Sequence, residues 1–218
     1  MAIARYEKIQ SHYYNHIWVV GDIHGCYTLL NHRLRELAFN KETDLLISVG
    51  DNIDRGTENL DVLRLLDEPW FISVIGNHEA MALEAFETQD GNRWLASGGD
   101  WFFSLTEQDR QEAITFLLRF QKIPHILEIE SNDKKYVIAH ADYPGQTYHS
   151  NKVVDANAIL WPIDRIMRSL EGRTNPISGA DFFIFGHMTV SNVQTYANQI
   201  YIDTGSATTG KLSFFRIR

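Results

Sequence analysis

Six residues with metal-ligating side chains each follow a short apolar run of the kind that forms a buried strand. The six are Asp22, His24, Asp51, Asn77, His140 and His187. The runs before them are His16–Val20, Asp44–Val49, Trp70–Ile75, Lys135–Ala139 and Asp181–Phe185. Any one of these polar residues alone would be an ordinary turn residue or a structural histidine. Together they place only Asp, Asn and His at five strand ends, where open α/β sheets bind ligands. We therefore expect the six side chains to meet.

The types of these side chains predict which metal they would hold. Carboxylate, imidazole and amide ligands together suit Mn²⁺, Fe or Zn²⁺, whereas Ca²⁺ prefers oxygen ligands alone. Six ligands are too many for one catalytic Zn²⁺ with an open position. They suit two ions that share a carboxylate, about 3.5–4 Å apart, which activate a bridging water and clamp an anionic ester for in-line attack. We expect two divalent ions, with Mn²⁺ as the first choice and Fe or Zn²⁺ as alternatives.

The elements that must position these ligands are predicted by the apolar patterns between them. Apolar residues recur at helical spacing in Tyr27–Leu37, in Leu60–Leu66 and in Ala113–Phe120, where Thr106 is a candidate N-cap. The first half thus reads β-α-β-α-β, which predicts a parallel sheet with helical crossovers. Two further apolar runs, Gln199–Thr204 and Lys211–Arg218, follow the last ligand. We interpret residues 1–218 as one α/β domain with a helical, cap-like region at about 80–120.

Composition limits the classes of partner. Hydrophobic residues make up 44% of the chain, charged residues 22%, and the net charge is −8. An acidic chain of this kind lacks the basic face that binding to nucleic acid or an anionic membrane needs. The single cysteine, Cys26, cannot form an internal disulfide, the first 16 residues carry no apolar signal core, and no run of about 18 apolar residues occurs. We expect a cytoplasmic protein.

The ordered motifs resemble those of the PPP-type metallophosphatases, which are calcineurin-like metallophosphoesterases. The motifs that carry the resemblance are Gly21–Gly25 (GDIHG), Gly50–Gly56 (GDNIDRG), Gly76–Glu79 (GNHE), His140–Asp142 (HAD) and Gly186–His187 (GH). Two further segments, Trp94–Trp101 (WLASGGDW) and Tyr201–Gly205 (YIDTG), are similar to the small bacterial and bacteriophage-lambda-type serine/threonine protein phosphatases. The resemblance spans nearly the whole chain and implies two packed mixed β-sheets flanked by helices.

The resemblance also implies a role for each matched residue. Asp22, His24 and Asp51 would hold the first metal, and Asp51, Asn77, His140 and His187 the second. His78 would be the general acid for the leaving alkoxide, and Asp54 would orient it. Arg55 would bind the substrate phosphate, because its planar fork matches two phosphate oxygens. The reaction implied is hydrolysis of phosphomonoesters, namely phosphoserine or phosphothreonine in proteins, with phosphotyrosine as a further candidate. The expected partner is a phosphoprotein or a small phosphomonoester substrate.

Three positions depart from the family pattern and bear on the substrate. Ile75 stands where the family usually has an arginine before Gly-Asn-His-Glu, and Asn52 stands at a usually apolar position. Small bacterial and phage relatives carry an arginine shortly after the tryptophan that matches Trp161, whereas here Pro162 and Ile163 follow it. We therefore name Arg165 as the candidate replacement for a missing phosphate-binding arginine. The aromatic residues Trp94 and Trp101 we interpret as packing residues.

Two alternative functions remain open. Ile75 favours a dinucleoside polyphosphate hydrolase, whereas the Asp54-Arg55-Gly56 sequence and Glu79 favour the protein phosphatase. The second alternative is a weakly active, metal-bound regulatory or binding protein, which the missing arginines would fit. The presence of both His78 and Asp54 argues against a binding protein without activity, because such a protein does not need a leaving-group acid. Oligomeric state is not predicted by these patterns.

Overall fold

The computed structural model describes residues 2–150 and 152–218, and these form two β-sheets with helices on their outer faces. The strands are β1 (Tyr6–Gln10), β2 (Ile17–Val20), β3 (Leu45–Ser48), β4 (Phe71–Ser73), β5 (Ile126–Ser131), β6 (Lys134–Ala139), β7 (Phe182–Phe185), β8 (Gln194–Tyr196), β9 (Gln199–Tyr201) and β10 (Phe214–Arg216). The α-helices are α1 (Tyr27–Glu36), α2 (Asn59–Arg64), α3 (Asn77–Thr88), α4 (Asn92–Ala96), α5 (Glu107–Arg119), α6 (Asn157–Leu160), α7 (Asp164–Leu170) and α8 (Ser206–Thr209). Three 3₁₀ turns lie at Ser11–Tyr13, Leu65–Asp67 and Gly99–Ser104.

Both sheets mix parallel and antiparallel strands. One has four strands in the order β10-β2-β3-β4, and the other has six in the order β1-β5-β6-β7-β9-β8. Strands β2, β3 and β4 are parallel and alternate with α1 and α2 along the chain, which confirms the predicted β-α-β-α-β segment. Strand β10 closes the smaller sheet by pairing antiparallel with β2. The predicted fold class, two packed mixed sheets flanked by helices, is confirmed.

The main core lies between the two sheets, because alternate residues of each strand point to the facing sheet. The smaller sheet contributes buried residues such as Ile17 and Ile47, and the larger sheet contributes residues such as Ile129 and Ile184. Both sheets also have helices on their outer faces, so several strands are apolar on both sides. Strand β3 is buried along its whole length, as parallel strands between two layers usually are. Such strands hold the polar residues that follow them in fixed positions.

The chain between β4 and β5 is helical, as predicted for residues at about 80–120. It contains α3, α4 and α5, and Thr106 is the N-cap of α5, since its side chain accepts from the N–H of Asp109. The apolar faces of these helices pack around Trp94, Phe102 and Phe116. The assignment of this segment as a cap within a single domain stays a prediction. No helix in the described part of the chain is long and apolar enough to cross a bilayer.

Candidate metal centre

The predicted ligands lie just beyond the carboxyl ends of neighbouring strands. Asp22 follows β2 and Asp51 follows β3, while Asn77 begins α3 shortly after β4. His140 follows β6 and His187 lies two residues beyond the end of β7, so the larger sheet supplies both of these imidazoles. All but His187 are at most 5% exposed. The side chains that the strand-end pattern predicts therefore lie together, at the carboxyl ends of strands from both sheets.

The loops that carry these side chains have an unusual backbone. His24, Asp51, Asp54, Arg55 and His187 all have positive φ, between 45° and 74°. Residues with a Cβ rarely adopt this conformation, which costs on the order of 1–3 kcal/mol at each position and persists only where the surroundings enforce it. Five such residues in one site indicate that the loops are fixed by their contacts rather than by local preference.

Two glycines allow the loops to approach closely. A Cβ atom at Gly76 would lie 2.2 Å from Oδ1 of Asp51, and one at Gly186 would lie 2.0 Å from Oδ1 of Asp22. Neither position can hold a larger residue without displacing a carboxylate of the site. The glycines of the Gly-Asn-His-Glu and Gly-His motifs are therefore explained by packing against the ligands.

The ligand atoms form two groups that share Asp51. In one group His24, Asp51 and His78 each offer a ligand atom within 4.8 Å of the others, and in the second group Asp51, His140 and His187 do the same. Oδ1 of Asn77 lies 2.7 Å from Nε2 of His140 and 2.9 Å from Nδ1 of His187. A single carboxylate common to two groups would be able to bridge two ions.

Asp22 belongs to neither group but lies beside them. Its carboxylate accepts the backbone N–H of His187 at 3.0 and 3.2 Å, and it is 1% exposed. Burial, reinforced by the charge of Asp203, raises the pKa of Asp22 well above its ordinary value. A buried carboxylate in such surroundings needs a cation to remain ionised. The role of Asp22 as a ligand stays a prediction.

Hydrogen bonds to backbone carbonyl oxygens orient two of the imidazoles. Nδ1 of His24 bonds to the carbonyl oxygen of Ile53, and Nδ1 of His140 bonds to that of Val49, each at 2.8 Å. Both rings therefore carry a proton on Nδ1 and turn Nε2 towards the centre, which is the orientation that metal-ligating histidines commonly have. Burial lowers the pKa of His24 and of His187 to about 4. Both are therefore neutral at physiological pH and able to bind a metal.

The charges of the centre fit the presence of cations. Burial opposes the ionised forms of Asp51 and His140, yet each stabilises the charge of the other. Their pairing, with Nε2 of His140 3.3 Å from Oδ1 of Asp51, lowers the pKa of Asp51 well below its ordinary value and raises that of His140 to about 10. The positive charge of protonated His140 thus stabilises the buried carboxylate of Asp51, as a bound cation would. The donor set of carboxylate, amide and imidazole fits divalent transition metals.

His78 has the contacts of a leaving-group acid. Its Nδ1 bonds to Oδ2 of Asp54 at 2.7 Å, and its Nε2 faces the centre, 3.7 Å from Oδ2 of Asp51. Burial lowers the pKa of His78, but the charges of Asp51 and Asp54 outweigh it and leave the pKa raised. His78 shares the group of His24 and Asp51, so distance alone would allow it to be a metal ligand. Its bond to Asp54 favours the acid role, which stays a prediction.

Two tryptophans complete the surroundings of Asp54, and their role was missed in the sequence. Nε1 of Trp101 donates to Asp54 at 2.7 Å, and Nε1 of Trp94 lies 3.0 Å from both carboxylate oxygens. Burial still raises the pKa of Asp54 above its ordinary value, against the effect of His78 and these indoles. The interpretation of Trp94 and Trp101 as packing residues is thus incomplete, because both also hold the carboxylate that orients His78.

Arg55 lies at the solvent side of the centre. Its side chain reaches both imidazoles, with Nη1 2.8 Å from Nε2 of His24 and Nη2 3.0 Å from Nε2 of His78. The residue is exposed, whereas His24 and His78 are buried beneath it. A guanidinium at this position can meet an anion that enters from solvent. Its role in binding phosphate stays a prediction.

Glu79 is a further residue of the site whose role sequence reasoning missed. Its buried carboxylate accepts the backbone N–H groups of Asp51, Asn52 and Gly76 at 2.6–3.0 Å. Burial and the nearby Asp51 raise its pKa to about 6. Glu79 thus ties the loop after β3 to the start of α3. The unusual Asn52 is also accommodated here, since its Nδ2 donates to Oγ of Ser73 at 2.9 Å.

The structure shows the surroundings of the two positions named for missing arginines. Ile75 is 3% exposed and packs in the apolar cluster with Ile53 and Leu60, so its own side chain offers no contact to a phosphate. Arg165 donates to Asp142 at 2.5 Å and to the carbonyl oxygens of Tyr143 and Gly145 at 2.9 and 2.7 Å. A swing of Arg165 towards the metal centre would break all three hydrogen bonds. The role of Arg165 as the replacement for the missing arginine stays a prediction.

Comparison with known proteins agrees with this geometry. The family model described as calcineurin-like phosphoesterase matches residues 16–191. The chain is 63% identical to serine/threonine-protein phosphatase 2 of Escherichia coli (strain K12) over 218 residues, which is the whole of both chains. It is 45% identical to serine/threonine-protein phosphatase 1 of Salmonella typhimurium, over 98% of this chain and 97% of that protein.

More distant similarities extend to other phosphoesterases. A symmetrical bis(5'-nucleosyl)-tetraphosphatase of Xylella fastidiosa (strain M23) is 32% identical over 112 residues, which are 50% of this chain and 37% of that protein. The crystal structure of a candidate diadenosine tetraphosphatase has a TM-score of 0.72 and 23% identity, and the match covers 98% of this chain and 94% of the other. At that identity the likeness shows the fold alone. The chain belongs to the calcineurin-like phosphoesterase family.

Proposed function

We propose that this chain is a dinuclear metal-dependent phosphatase that hydrolyses phosphoserine and phosphothreonine in proteins, with phosphotyrosine as a further substrate. The observation that carries the proposal is the 2.7 Å pair of His78 and Asp54 beside a ligand set that shares Asp51. A leaving-group acid is needed most where the leaving group is a poor one, and the alkoxide of serine or threonine is such a group.

Each residue of the centre has a distinct task in this proposal. Asp22, His24 and Asp51 would hold one ion, and Asp51, Asn77, His140 and His187 the other. When bound, two divalent ions supply an activated water and neutralise the charge of the phosphate oxygens. We propose Mn²⁺ for both positions, with Fe or Zn²⁺ as alternatives, since the mixed donor set suits these metals.

The remaining steps belong to side chains of the chain itself. Arg55 would bind two oxygens of the phosphate through its planar fork, from the exposed side of the centre. His78 would donate the proton on Nε2 to the departing oxygen, and its Nδ1–H would go on donating a hydrogen bond to Asp54. The indoles of Trp94 and Trp101 would hold Asp54 in the orientation that keeps Nε2 of His78 directed at the substrate.

The substrate class is supported by the relatives. The two full-length relatives are named serine/threonine-protein phosphatases, whereas the tetraphosphatase matches only half of this chain. The absence of an arginine at Ile75 is the sequence feature that favours a dinucleoside polyphosphate hydrolase, and the comparison of substrates below tests that alternative. A single cysteine fits a reducing, cytoplasmic setting.

A direct comparison of substrates tests the proposal. The Mn²⁺-loaded protein is assayed on a phosphoserine peptide and on diadenosine tetraphosphate, before and after chelation and with Mn²⁺ restored. We expect a kcat/KM at least about tenfold higher on the peptide, loss of activity on chelation, and recovery with Mn²⁺. A preference for the dinucleotide would support the hydrolase alternative. No turnover of either substrate would favour a regulatory or binding protein.

A further inference from the structure

A cavity of about 300 Å³ lies against α7, and none of its lining residues is a predicted metal ligand. Its polar lining consists of Gln146, Arg165, Arg168, Ser169, Arg173 and Asn175. Three arginines thus line one small space in a protein whose net charge is −8. Such a concentration of positive charge is the opposite of the chain's overall character and predicts an anionic occupant.

The three arginines differ in how they are held. Arg165 is fixed, because its side chain is only 12% exposed and bonds to Asp142 and two backbone carbonyls. Arg173 pairs with Glu171, but both side chains are more than half exposed, so the pair is weak. The side chain of Arg168 has no hydrogen-bond or ion-pair partner among the residues that the structure describes, and its backbone carbonyl accepts the N–H of Arg173. The cavity therefore combines one rigid cation with two that can turn towards a ligand.

The position of the cavity relates it to the metal centre. Asp142, which holds Arg165, lies two residues after the predicted ligand His140, so the cavity lies beside the loop after β6. On its other exposed side, α7 presents an apolar stripe of Ile163, Met167 and Leu170, which are 41–54% exposed. A polypeptide that crosses α7 could contact this stripe and the cavity together. The stripe favours an anion carried by a protein over a free ion.

We propose that this cavity binds an anionic side chain of the protein substrate, a carboxylate or a second phosphate close in sequence to the phosphorylated residue. The proposal rests on the proposed protein phosphatase function and adds a substrate preference to it. Arg168 and Arg173 would bind the anion, with the amides of Gln146 and Asn175 as further donors. The protein would then favour phosphorylation sites in acidic sequences, even though its own surface is acidic.

Two peptides and two variants test this preference. The peptides carry the same phosphoserine and differ only in flanking residues, which are Glu in one and Gln in the other. The variants are Arg168→Gln with Arg173→Gln, and a control, Arg35→Gln with Lys41→Gln, which removes two positive charges from α1 and the loop after it. We expect the wild type and the control to favour the acidic peptide by roughly threefold to tenfold in kcat/KM. The cavity variant should hydrolyse both peptides equally.

Each other outcome has a defined meaning. The acidic-to-neutral ratio would overturn the proposal if it were the same in the wild type and the cavity variant. Sulfate at millimolar concentration is added to the acidic peptide as a further arm. A loss of the acidic-peptide preference in the wild type would support the proposal, because sulfate would compete for the same arginines, whereas a preference that sulfate leaves unchanged would count against it. Failure of the wild type to hydrolyse either peptide would instead count against the proposed function. Metal content and melting temperature show whether each variant is folded.

Discussion

The indole of Trp101 offers a direct test of how the leaving-group acid is held. Trp101→Phe keeps an aromatic ring but removes the N–H that lies 2.7 Å from Oδ1 of Asp54. Asp54 is fully buried, and a hydrogen bond to a charged group contributes about 1.5–3 kcal/mol. Loss of this donor destabilises the ionised carboxylate that orients His78. Since each ~1.4 kcal/mol is tenfold, we expect kcat on a phosphoserine peptide to fall about tenfold.

The choice of substrate separates an effect on the acid from a general loss of structure. On p-nitrophenyl phosphate, whose leaving group needs little protonation, the loss in kcat should be no more than about twofold. The matched control is Trp18→Phe, because Nε1 of Trp18 is buried without a hydrogen-bond partner in the described chain. This control removes an indole N–H and no hydrogen bond, so kcat should not change on either substrate. Equal losses on the two substrates for Trp101→Phe would refute the reasoning.

A double-variant cycle tests whether Trp101 acts through His78. His78→Asn should cut kcat on the peptide by about 10²–10⁴, the usual contribution of general acid catalysis. In that background, Trp101→Phe should cause little further loss, because the residue it supports is already gone. If the two losses simply added, Trp101 would affect the reaction by another route. The measurements are kcat on the phosphoserine peptide for the wild type, both single variants and the double variant.

Three further predictions concern the metal centre, the core and pH. Asp51→Asn should lose most of the bound metal, as measured by elemental analysis after purification with Mn²⁺, because it removes the charge that both ligand groups share. Ile75→Arg should reduce the free energy of unfolding by about 3 kcal/mol or more, whereas Ile75→Val should cost about 1 kcal/mol, in urea titrations. Burial, reinforced by Arg5, lowers the pKa of His125 from 6.5 to about 4, so below pH 6.5 the unfolded state binds the proton first. Stability should therefore fall by about 2 kcal/mol between about pH 7 and about pH 5, and His125→Gln should remove that part of the decrease.

The proximity of the candidate ligands was predictable because they have a local signature. Each lies within four residues of the end of an apolar run, and the carboxyl ends of those strands meet at one edge in the fold. The contacts of Trp94 and Trp101 had no such signature, since 40 and 47 residues separate them from Asp54. Nothing in an isolated tryptophan distinguishes a hydrogen-bonded indole from one that only packs. The orientation of Ile75 likewise depends on the helices that pack against it, which a motif does not specify.

The fold was predictable where strands are buried on both faces. Strand β1 was missed because its sequence (YEKIQ) is polar and mostly exposed, as suits the edge of the larger sheet. Strand β5 (ILEIES) was missed because it alternates apolar and acidic residues. The glutamate in its middle is nonetheless buried, where it bonds to Tyr148 and Ser150 and pairs with Lys8. These partners come from distant parts of the chain and compensate the burial of a charge that sequence alone would place in solvent.

The pairing of β2 with β10 has a consequence for how the protein is made. Strand β2 leads into Asp22, but its antiparallel neighbour β10 lies almost 200 residues later in the chain. During synthesis, one edge of β2 stays open until β10 has emerged, and His187 is also absent for most of that time. A nascent chain therefore exposes an unpaired strand next to Asp22. The predicted metal ligands around that residue are still incomplete at this stage. Such distant contacts slow folding and leave open edges able to associate. We expect newly made chains to depend on chaperones until the smaller sheet closes, and to take up metal only after His187 and β10 have emerged.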